Sequence, residues 1–310
     1  MTADRASGTA RLIAAATVMR EGSGQQYLAG PEGAADWCRI FLSTNRADRL
    51  LLWSACSSLG QAWWRLAEWA TIPGLVSHWM RRKREIDRLA RQAAVDGFEQ
   101  LVVLGAGLDS LAFRVDEQRV FGRIVLADRP TTLAVVRTAT GASDATTLNS
   151  TGAAKTHGVG FLALDLARDD VSTLLAASRE FDSNRATLVV IEGVLMYLSA
   201  TNVERVLQSL ASLPAPRARL IVSSMIQDER RPVGFQGQSR LVNYWLSRRQ
   251  ETMRWASSRS ALLALLNECG WTAVRLVDLV GEEAGCGTTS SGLGSEVLAV
   301  AERAGRMRGQ

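Results

Sequence analysis

The stretch LVVLGAGLDS, residues 101–110, decides how this sequence folds. Four apolar and mostly branched residues stop at Gly105, and the run is too short to form a helix by itself. Gly105 and Gly107 permit a tight turn and leave backbone N–H groups open to a ligand, because no Cβ stands in the way. The residues from Asp109 to Arg114 then read as the start of a helix. A strand, a glycine turn and a helix N-terminus together favour a nucleotide site over an ordinary strand-to-helix turn.

Short apolar runs alternate with helical patterns downstream of this turn. Strands are predicted over 101–104, 123–127, 158–164, 186–191, 217–224, 271–279 and 296–301. Helices between the first five predict right-handed crossovers and a parallel sheet, whereas the last two strands have no helix between them and should pair antiparallel at one edge. The fold class is therefore α/β, with a Rossmann-like, seven-stranded, mostly parallel sheet. The 225–255 segment is too long for a simple connection, so we predict an insertion after strand five.

Residues 1–97 show helical periodicity and are predicted to form a cap or lid on a sheet domain over residues 98–310. Helices are predicted over 9–20, 46–69 and 75–94, with a break at Pro73-Gly74 between the last two. Six of the nine tryptophans of the chain lie in this region. We expect them to pack between helices or at the surface of a homodimer. The alternative is a lid that stacks on an aromatic substrate.

Composition excludes several classes of protein. The chain has 310 residues, 47% of them hydrophobic, which is ample for a folded core. Four scattered cysteines and two histidines give no zinc-type cluster, so no metal is expected, and they suit a reducing cytoplasm. The net charge of +5 is spread along the chain except at 81–84, so nucleic acid is not an expected partner. No secretory signal is evident, and Arg65 and Glu68 interrupt the apolar run 50–64, so no membrane partner is expected.

Acidic residues end the central strands, where ligands bind in open α/β sheets. They are Asp109 just after the glycine turn, Asp128, Asp165 and Glu192. There is no Gly-Lys-Ser/Thr phosphate loop, and Ser110 occupies the third glycine position of a dinucleotide fingerprint. Ribose hydroxyls, an adenine amine and a positive centre suit these carboxylates, which favours S-adenosylmethionine (SAM) over NAD. Asp128 would bind the ribose diol and Asp165 the adenine amine. One such Asp alone is more often a helix N-cap, but three acidic strand ends around one glycine turn favour the cofactor.

These motifs resemble the leucine carboxyl methyltransferase family, a branch of the class I SAM-dependent methyltransferases that includes bacterial polyketide O-methyltransferases of the tetracenomycin type. The resemblance rests on LVVLGAGLDSLAFR (101–114), ADRP (127–130), LALDL (162–166) and IEGVLMYL (191–198). It extends from about residue 80 to the end of the chain, including Cys269-Gly270-Trp271. The resemblance implies a class I methyltransferase fold with SAM as the cofactor.

The resemblance also implies roles for particular residues. Arg82, the best match within 81–84, would clamp the SAM carboxylate, since an arginine fork suits a carboxylate. Glu192 would lie beside the methionine part of the cofactor, and Tyr197 would border the substrate pocket. The predicted cofactor-binding residues are Arg82, Gly105, Ala106, Gly107, Asp109, Asp128, Arg129, Asp165, Leu166, Glu192 and Gly193. The predicted substrate-binding residues are Met196, Tyr197, Met225, Tyr244 and Trp245, with Tyr197 as the catalytic candidate.

The expected reaction is O-methylation of a carboxylate or hydroxyl on a small molecule of bacterial secondary metabolism. A carboxylate is ionised near neutral pH and needs no general base, so alignment and desolvation can supply the catalysis. A phenol would need a base such as His78, His157 or a carboxylate. Two alternatives stay open. One is C- or N-methylation of an aromatic metabolite, and the other is a non-catalytic, SAM-binding regulatory subunit that uses the helical N-terminus as an interface.

Overall fold

A seven-stranded sheet forms the centre of the protein. The computed structural model describes residues 7–21, 29–142, 158–227, 233–235, 238–249, 251–279 and 296–303. Its strands are β1 Gln100–Leu104, β2 Arg123–Asp128, β3 Val159–Ala163, β4 Thr187–Ile191, β5 Ala218–Met225, β6 Thr272–Asp278 and β7 Glu296–Arg303. Their order across the sheet is β3-β2-β1-β4-β5-β7-β6, with β1 to β5 parallel and β7 antiparallel to both of its neighbours. The predicted fold class and the antiparallel edge are confirmed.

Helices cover both faces of this sheet. Those before β1 are α1 Gly8–Glu21, α2 Ala34–Leu42, α3 Arg46–Cys56, α4 Ser58–Thr71 and α5 Leu75–Val95. Those after β1 are α6 Leu111–Glu117, α7 Pro130–Thr140, α8 Val171–Ala177, α9 Ala200–Ala211, α10 Arg240–Arg248 and α11 Arg259–Glu268. Pro130 begins α7, because its fixed φ suits a first helical turn. The described part of the predicted insertion contains α10.

One helix prediction in the N-terminal region is wrong. The segment 46–69 is divided at Ser57, whose extended backbone (φ −85°, ψ 145°) interrupts the helix and whose hydroxyl caps α4 by accepting a hydrogen bond from the Gly60 N–H at 3.2 Å. A Cβ at Gly60 would collide with the Ser54 carbonyl, so glycine is what lets the chain turn this closely. The predicted break at Pro73-Gly74 is confirmed, since Gly74 has a φ of 83° just before α5.

The buried core has one layer on each face of the sheet. Side chains alternate along a strand, so Leu101 and Val103 face one layer while Val102 and Leu104 face the other. α1, α2 and α5 contribute to the first layer, and α8, α9 and α11 contribute to the second. The helices of the predicted cap therefore share a core with the sheet. Among the helices that the structure describes, none has the length and apolar character needed to cross a bilayer.

Candidate functional site

The register of the parallel strands brings the predicted ligand groups together. Pairing of β1 with β2 and β4 sets Gly105, Asp128 and Glu192 side by side. β3 pairs with β2 so that Asp165 comes two residues beyond the partner of Asp128. These groups meet where the strand order reverses between β1 and β4, which is the usual ligand position in an open α/β sheet.

A cavity of about 1340 Å³ opens at this edge of the sheet. All of the predicted cofactor-binding residues line it: Arg82, Gly105, Ala106, Gly107, Asp109, Asp128, Arg129, Asp165, Leu166, Glu192 and Gly193. Ligand pockets commonly measure roughly 300–1,000 Å³. The cavity therefore has room for a cofactor and a second molecule together.

The glycine turn forms a cradle that other residues would fill. Gly105 and Gly107 have φ values of 64° and 57°, in the left-handed region that favours glycine. A Cβ on Gly105 would lie 2.5 Å from Cγ2 of Val194, and one on Gly107 would lie 3.0 Å from the Cβ of Ala10 in α1. The turn is thus closely packed on both sides, and its open surface faces the cavity.

Asp128 joins the end of β2 to the glycine turn. Its Oδ2 accepts a hydrogen bond from the Gly107 N–H at 2.7 Å, and its Oδ1 accepts one from the Arg129 N–H at 2.6 Å. Burial raises the pKa of Asp128, and these two backbone donors oppose the rise. No side chain makes a capping hydrogen bond at the start of α7. A carboxylate has about four lone-pair sites, so Asp128 keeps acceptor capacity for a ligand hydroxyl beside these donors and the Thr132 hydroxyl.

Asp165 has a local role as well as a place in the cavity wall. Its Oδ1 accepts a hydrogen bond from the Ala167 N–H at 3.0 Å, and its own N–H donates to Asp169 Oδ2 at 2.8 Å. The side chain is 37% exposed. Asp165 therefore closes a turn after β3 while leaving carboxylate lone pairs for a ligand amine.

A buried cluster of two cations and three carboxylates lies beneath the glycine turn. Arg82 donates from Nη1 to both carboxylate oxygens of Glu296, at 2.9 and 2.8 Å, and from Nε to Glu192 at 3.0 Å. Lys83 pairs with Asp109 and lies 3.4 Å from Glu192. Every side chain in the cluster is 13% exposed or less. The carboxylates outnumber the cations, which suits a ligand that brings positive charge.

Mutual attraction keeps this cluster ionised. Burial alone would lower the pKa of Arg82, but Glu296 and Glu192 raise it above its ordinary value. Burial likewise favours neutral Glu296, yet Arg82 and His78 lower the pKa of Glu296 to about 2. Lys83 follows the same pattern, since Asp109 and Glu192 outweigh the effect of burial and raise its pKa. Arg82 and Lys83, which line the cavity, therefore present fixed positive charges to a ligand at neutral pH.

Two members of the cluster, Lys83 and Glu296, were missed at the level of sequence. Lys83 lines the cavity beside Arg82, so it is a second cation available to a ligand carboxylate. The feature of the sequence that could have identified Lys83 is the rarity of lysine, because the chain has only one other, Lys155. Glu296 was assigned only as the first residue of a strand. An isolated acid that opens an apolar run is the signal that could have found it.

His78 is not placed to act on a bound acceptor. Its Nε2 lies 2.7 Å from Glu296 Oε2, its side chain is 1% exposed, and it does not line the cavity. His78 supports the position of Glu296, which in turn holds Arg82. The other histidine, His157, lies outside the described residues.

Tyr197 lies in the wall between the cofactor edge and α1. It ends the short 3₁₀ turn Leu195–Tyr197 after β4. Burial raises the pKa of Tyr197 to about 12, a hydrogen bond with Thr9 opposes the rise, and the charge of Glu251 adds to it. Tyr197 is therefore a neutral phenol that can donate a hydrogen bond, and it is not a phenolate base.

Glu251 fixes the start of α1 over the cavity. Its Oε1 accepts from the Gly8 N–H at 2.7 Å, and its Oε2 accepts from the N–H of Thr9 at 3.1 Å and from the Thr9 hydroxyl. A carboxylate at a helix N-terminus satisfies unpaired donors and complements the helix dipole. Neither Thr9 nor Glu251 was a sequence candidate, because the two are 242 residues apart.

The structure places three of the predicted substrate-binding residues at the cavity and two away from it. Met196, Tyr197 and Trp245 line the wall. Met225 is instead 1% exposed and packs behind the wall, in a small cluster with Ile72, Met196 and Phe235. Tyr244 is 59% exposed and bonds Arg248 on the outer side of α10. Neighbouring helix positions point about 100° apart, so Trp245 and Tyr244 cannot both face the cavity.

The remainder of the cavity wall is mainly apolar. Its large aromatic and aliphatic members are Trp63, Trp64, Trp79, Trp245, Phe235, Leu12, Ile13, Leu51, Ile72, Leu75, Val242, Leu246 and Met253. Not every N-terminal tryptophan belongs to it, since Trp37 is buried in the core and stacks on Phe113 with ring centroids 4.8 Å apart. The N-terminal tryptophans are therefore divided between the core and the cavity wall.

Comparison with known proteins points to one family. Residues 25–211 match the family model for leucine carboxyl methyltransferase. A Mycobacterium marinum protein named as an S-adenosyl-L-methionine-dependent methyltransferase is 36% identical over 149 residues, which cover 46% of this chain and 43% of that protein. A Mycobacterium tuberculosis protein of the same description is 32% identical over 184 residues, 54% of each chain. The chain thus spans about half the length of the curated relatives it matches.

A solved structure shares the fold. The crystal structure of a Thermobifida fusca protein, described as a methyltransferase, matches with a TM-score of 0.56 and 18% sequence identity. The match covers 86% of this chain and 94% of that one. The two proteins therefore share one architecture.

Proposed function

Because this chain belongs to the leucine carboxyl methyltransferase family, we propose that it is a SAM-dependent methyltransferase acting on an oxygen of a small, largely apolar molecule. One observation carries the proposal. A glycine cradle with acidic strand ends and a buried charge cluster shares a single cavity with a chamber walled by tryptophan. We call the part lined by Gly105, Asp128 and Arg82 the cofactor half, and the part walled by Trp63, Trp64 and Trp245 the acceptor half. The two halves are in contact. The resemblance of the site motifs to polyketide O-methyltransferases supports a secondary metabolite as the acceptor.

The residues of the cofactor half fit SAM. When bound, SAM supplies an electrophilic methyl group on a sulfonium. Asp128 would accept from the ribose hydroxyls and Asp165 from the adenine amine. Glu192 and Asp109 would face the ammonium group, while Arg82 and Lys83 would face the carboxylate. The excess of carboxylates in the cluster balances the positive charge that the ligand brings.

Two arginines of the acceptor half could hold a carboxylate, whereas the acids of the same wall, Glu251 and Glu68, are engaged with α1. Arg249 and Arg254 line the cavity on the side of α10. Arg249 stacks over the Trp245 ring at 4.4 Å, and the Arg254 N–H donates to the Met196 carbonyl at 2.7 Å. An ionised acceptor held by arginines needs no proton removed, so the apolar wall would act by alignment and desolvation. Tyr197 would donate a hydrogen bond to the acceptor and position it.

A hydroxyl acceptor would need a base, and the structure offers fewer candidates for that role. His78 bonds Glu296 and does not line the cavity, so it cannot reach an acceptor there. Glu251 lies near Tyr197 but already accepts three hydrogen bonds from α1. C- or N-methylation of an aromatic ring is the second candidate function, and the tryptophans in the wall favour it, since they could stack on the ring.

Calorimetric titration with SAM, S-adenosylhomocysteine and NAD tests the cofactor. We expect the first two to bind and NAD not to bind. Asp128→Ala should weaken SAM binding by roughly 10- to 100-fold, because hydrogen bonds to a charged group are lost. Asp170→Ala is the matched control, since Asp170 caps α8 and does not line the cavity. Failure of SAM to bind, or binding of NAD in its place, would contradict the proposal.

Turnover with methyl-labelled SAM tests the acceptor atom. Hydrophobic carboxylic acids, phenols and aromatic amines would be offered in parallel, with release of S-adenosylhomocysteine as the common readout. Mild alkali releases the label from a methyl ester as methanol and leaves methyl ethers and C- or N-methyl groups intact. Label released by alkali supports the carboxylate. Retained label identifies one of the other acceptors, and SAM binding without any turnover would favour a regulatory subunit.

A further inference from the structure

Helices α3 and α4 present an apolar surface to solvent. We call it the α3–α4 face, and its large members, all 55% to 80% exposed, are Leu50, Trp53, Leu59, Trp63, Leu66 and Trp69. On α4 they recur at spacings of three and four, which puts them on one side of the helix. Of the described residues, the other comparably exposed large apolar side chains are Val95 and Tyr244. The exposed apolar residues are therefore concentrated here, and a contiguous patch of this kind marks an interaction site.

The exposed charges of α3 and α4 are all positive. Arg46, Arg49 and Arg65 are exposed on these two helices. The acidic residues Asp48 and Glu68 point inward instead, each paired with an arginine of α1 and 12% exposed or less. The α3–α4 face thus combines tryptophan and leucine with a cationic border that has no exposed carboxylate within Arg46–Cys56 and Ser58–Thr71.

We infer that the α3–α4 face docks on an anionic lipid bilayer. Helices that lie in a membrane interface pair an apolar side rich in Trp and Leu with basic residues that meet the headgroups. Tryptophan in particular prefers this interface. This inference departs from the expectation that the chain has no membrane partner. That expectation rested on the lack of a spanning segment, and docking at the surface requires none.

A second copy of the chain is a poorer occupant of this face. A two-fold dimer interface uses the same patch on both subunits. Such a dimer would bring Arg46, Arg49 and Arg65 of both copies together, and the patch supplies no exposed carboxylate to pair with them. Anionic headgroups would instead neutralise all three.

The α3–α4 face continues into the cavity. Trp63 belongs to the face and also lines the cavity, and Leu51, Trp64 and Ala67 line the cavity from the same two helices. A docked bilayer would therefore lie against this wall and give a lipid-dissolved acceptor a short path to the site. This path rests on the proposed function, whereas docking itself is independent of methyl transfer.

Flotation with vesicles tests the docking without SAM or acceptor present. The full chain would be mixed with vesicles of phosphatidylcholine alone or with added phosphatidylglycerol. We expect binding only to the anionic vesicles, weakened by salt. The variant Arg46→Gln/Arg49→Gln/Arg65→Gln should lose about fivefold in affinity per arginine, on the order of 100-fold in all. Trp53→Ser/Trp69→Ser should also lose binding, and none of these five residues lines the cavity.

Matched controls carry the same changes elsewhere on the surface. Val95→Ser/Tyr244→Ser and Arg88→Gln/Arg179→Gln/Arg217→Gln should bind vesicles like the wild type. Circular dichroism verifies that each variant folds, and calorimetry verifies that SAM binding is unchanged, so that a docking failure is distinguished from a failure of the cofactor site. Equal recovery with neutral and anionic vesicles, or no recovery with either, overturns the inference. A wild-type dimer that Trp53→Ser/Trp69→Ser converts to a monomer, without vesicle binding, would assign the face to a second copy.

Discussion

The cofactor half and the acceptor half of the cavity are built in different ways. Gly105 and Asp128 of the cofactor half are the ends of adjacent parallel strands, so sheet register alone brings them together. The acceptor half is assembled from α1, α3, α4 and α10, and contacts such as Thr9 with Glu251 join distant parts of the chain. The first half therefore depends on local geometry and buried charge, and the second depends on long-range packing. Substitutions in the two halves should consequently have different effects on stability and binding.

Removal of Arg82 should have the largest effect. Arg82→Met would leave Glu192 and Glu296 buried without their main partner, and breaking a buried pair costs about 3–5 kcal/mol. Chemical denaturation would measure the loss, and SAM binding should fall with it. Arg88→Met is the control on the same helix, since its pair with Glu85 is exposed and should contribute less than about 1 kcal/mol. Equal losses in the two variants would contradict the role given to the buried cluster.

The same cluster should make stability depend on pH. The folded pKa of Glu296, about 2, lies below its ordinary value of 4.5, so its contribution is fully present above pH 4.5 and is lost as the pH falls toward 2. The full difference corresponds to about 3 kcal/mol. The gap in unfolding free energy between wild type and Glu296→Gln should therefore narrow over this range. A gap that does not change with pH would show that Glu296 is not held ionised by Arg82.

The cofactor half was predictable because a topological rule governs it. In a parallel sheet, residues that follow strands share one edge, so apolar runs and the residues after them were enough to name the strand-end members of the predicted set. Arg82, on α5, was named from the family resemblance instead. Glu296 escaped this rule since β7 is antiparallel and inserted beside β5. Its first residue pairs with Met225, the last of β5, and so reaches the same edge. The sequence predicted the antiparallel pair but not this position within the sheet.

The acceptor half was only partly predictable, because it depends on which side of a helix faces inward. Tyr244 and Trp245 have similar chemistry and adjacent positions, and only the packing of α10 selects Trp245 for the cavity. Met225 lies at a strand end, yet its side chain packs behind the cavity wall, against Met196 and Phe235. Anchoring of α1 by Glu251 has no local signal in the sequence.

Gly105→Ala should cause the next largest loss of stability, and comparison with a control glycine should distinguish backbone strain from side-chain packing. A left-handed alanine costs roughly 1–2 kcal/mol, and contact with Val194 would add about 1 kcal/mol or more. Gly97→Ala is the matched control, since its φ is 85° but no atom lies within 4 Å of the added Cβ. Thermal denaturation should therefore show a larger loss for Gly105→Ala, with loss of SAM binding in that variant alone. Identical losses in stability would show that Val194 yields to the added methyl.

Tyr197→Phe should have the smallest effect on stability and should act on the acceptor half alone. It removes one hydroxyl, and the net contribution of its hydrogen bond to stability is about 1 kcal/mol. SAM affinity should be unchanged, while the rate of methyl transfer should fall about fivefold, which corresponds to one positioning hydrogen bond of about 1 kcal/mol. Because the pKa of Tyr197 is about 12, the pH profile of the wild type should show no step from this group between pH 6 and 9. A step in that range that disappears in Tyr197→Phe would mean that Tyr197 ionises and acts as a base, which would move the acceptor from a carboxylate to a hydroxyl.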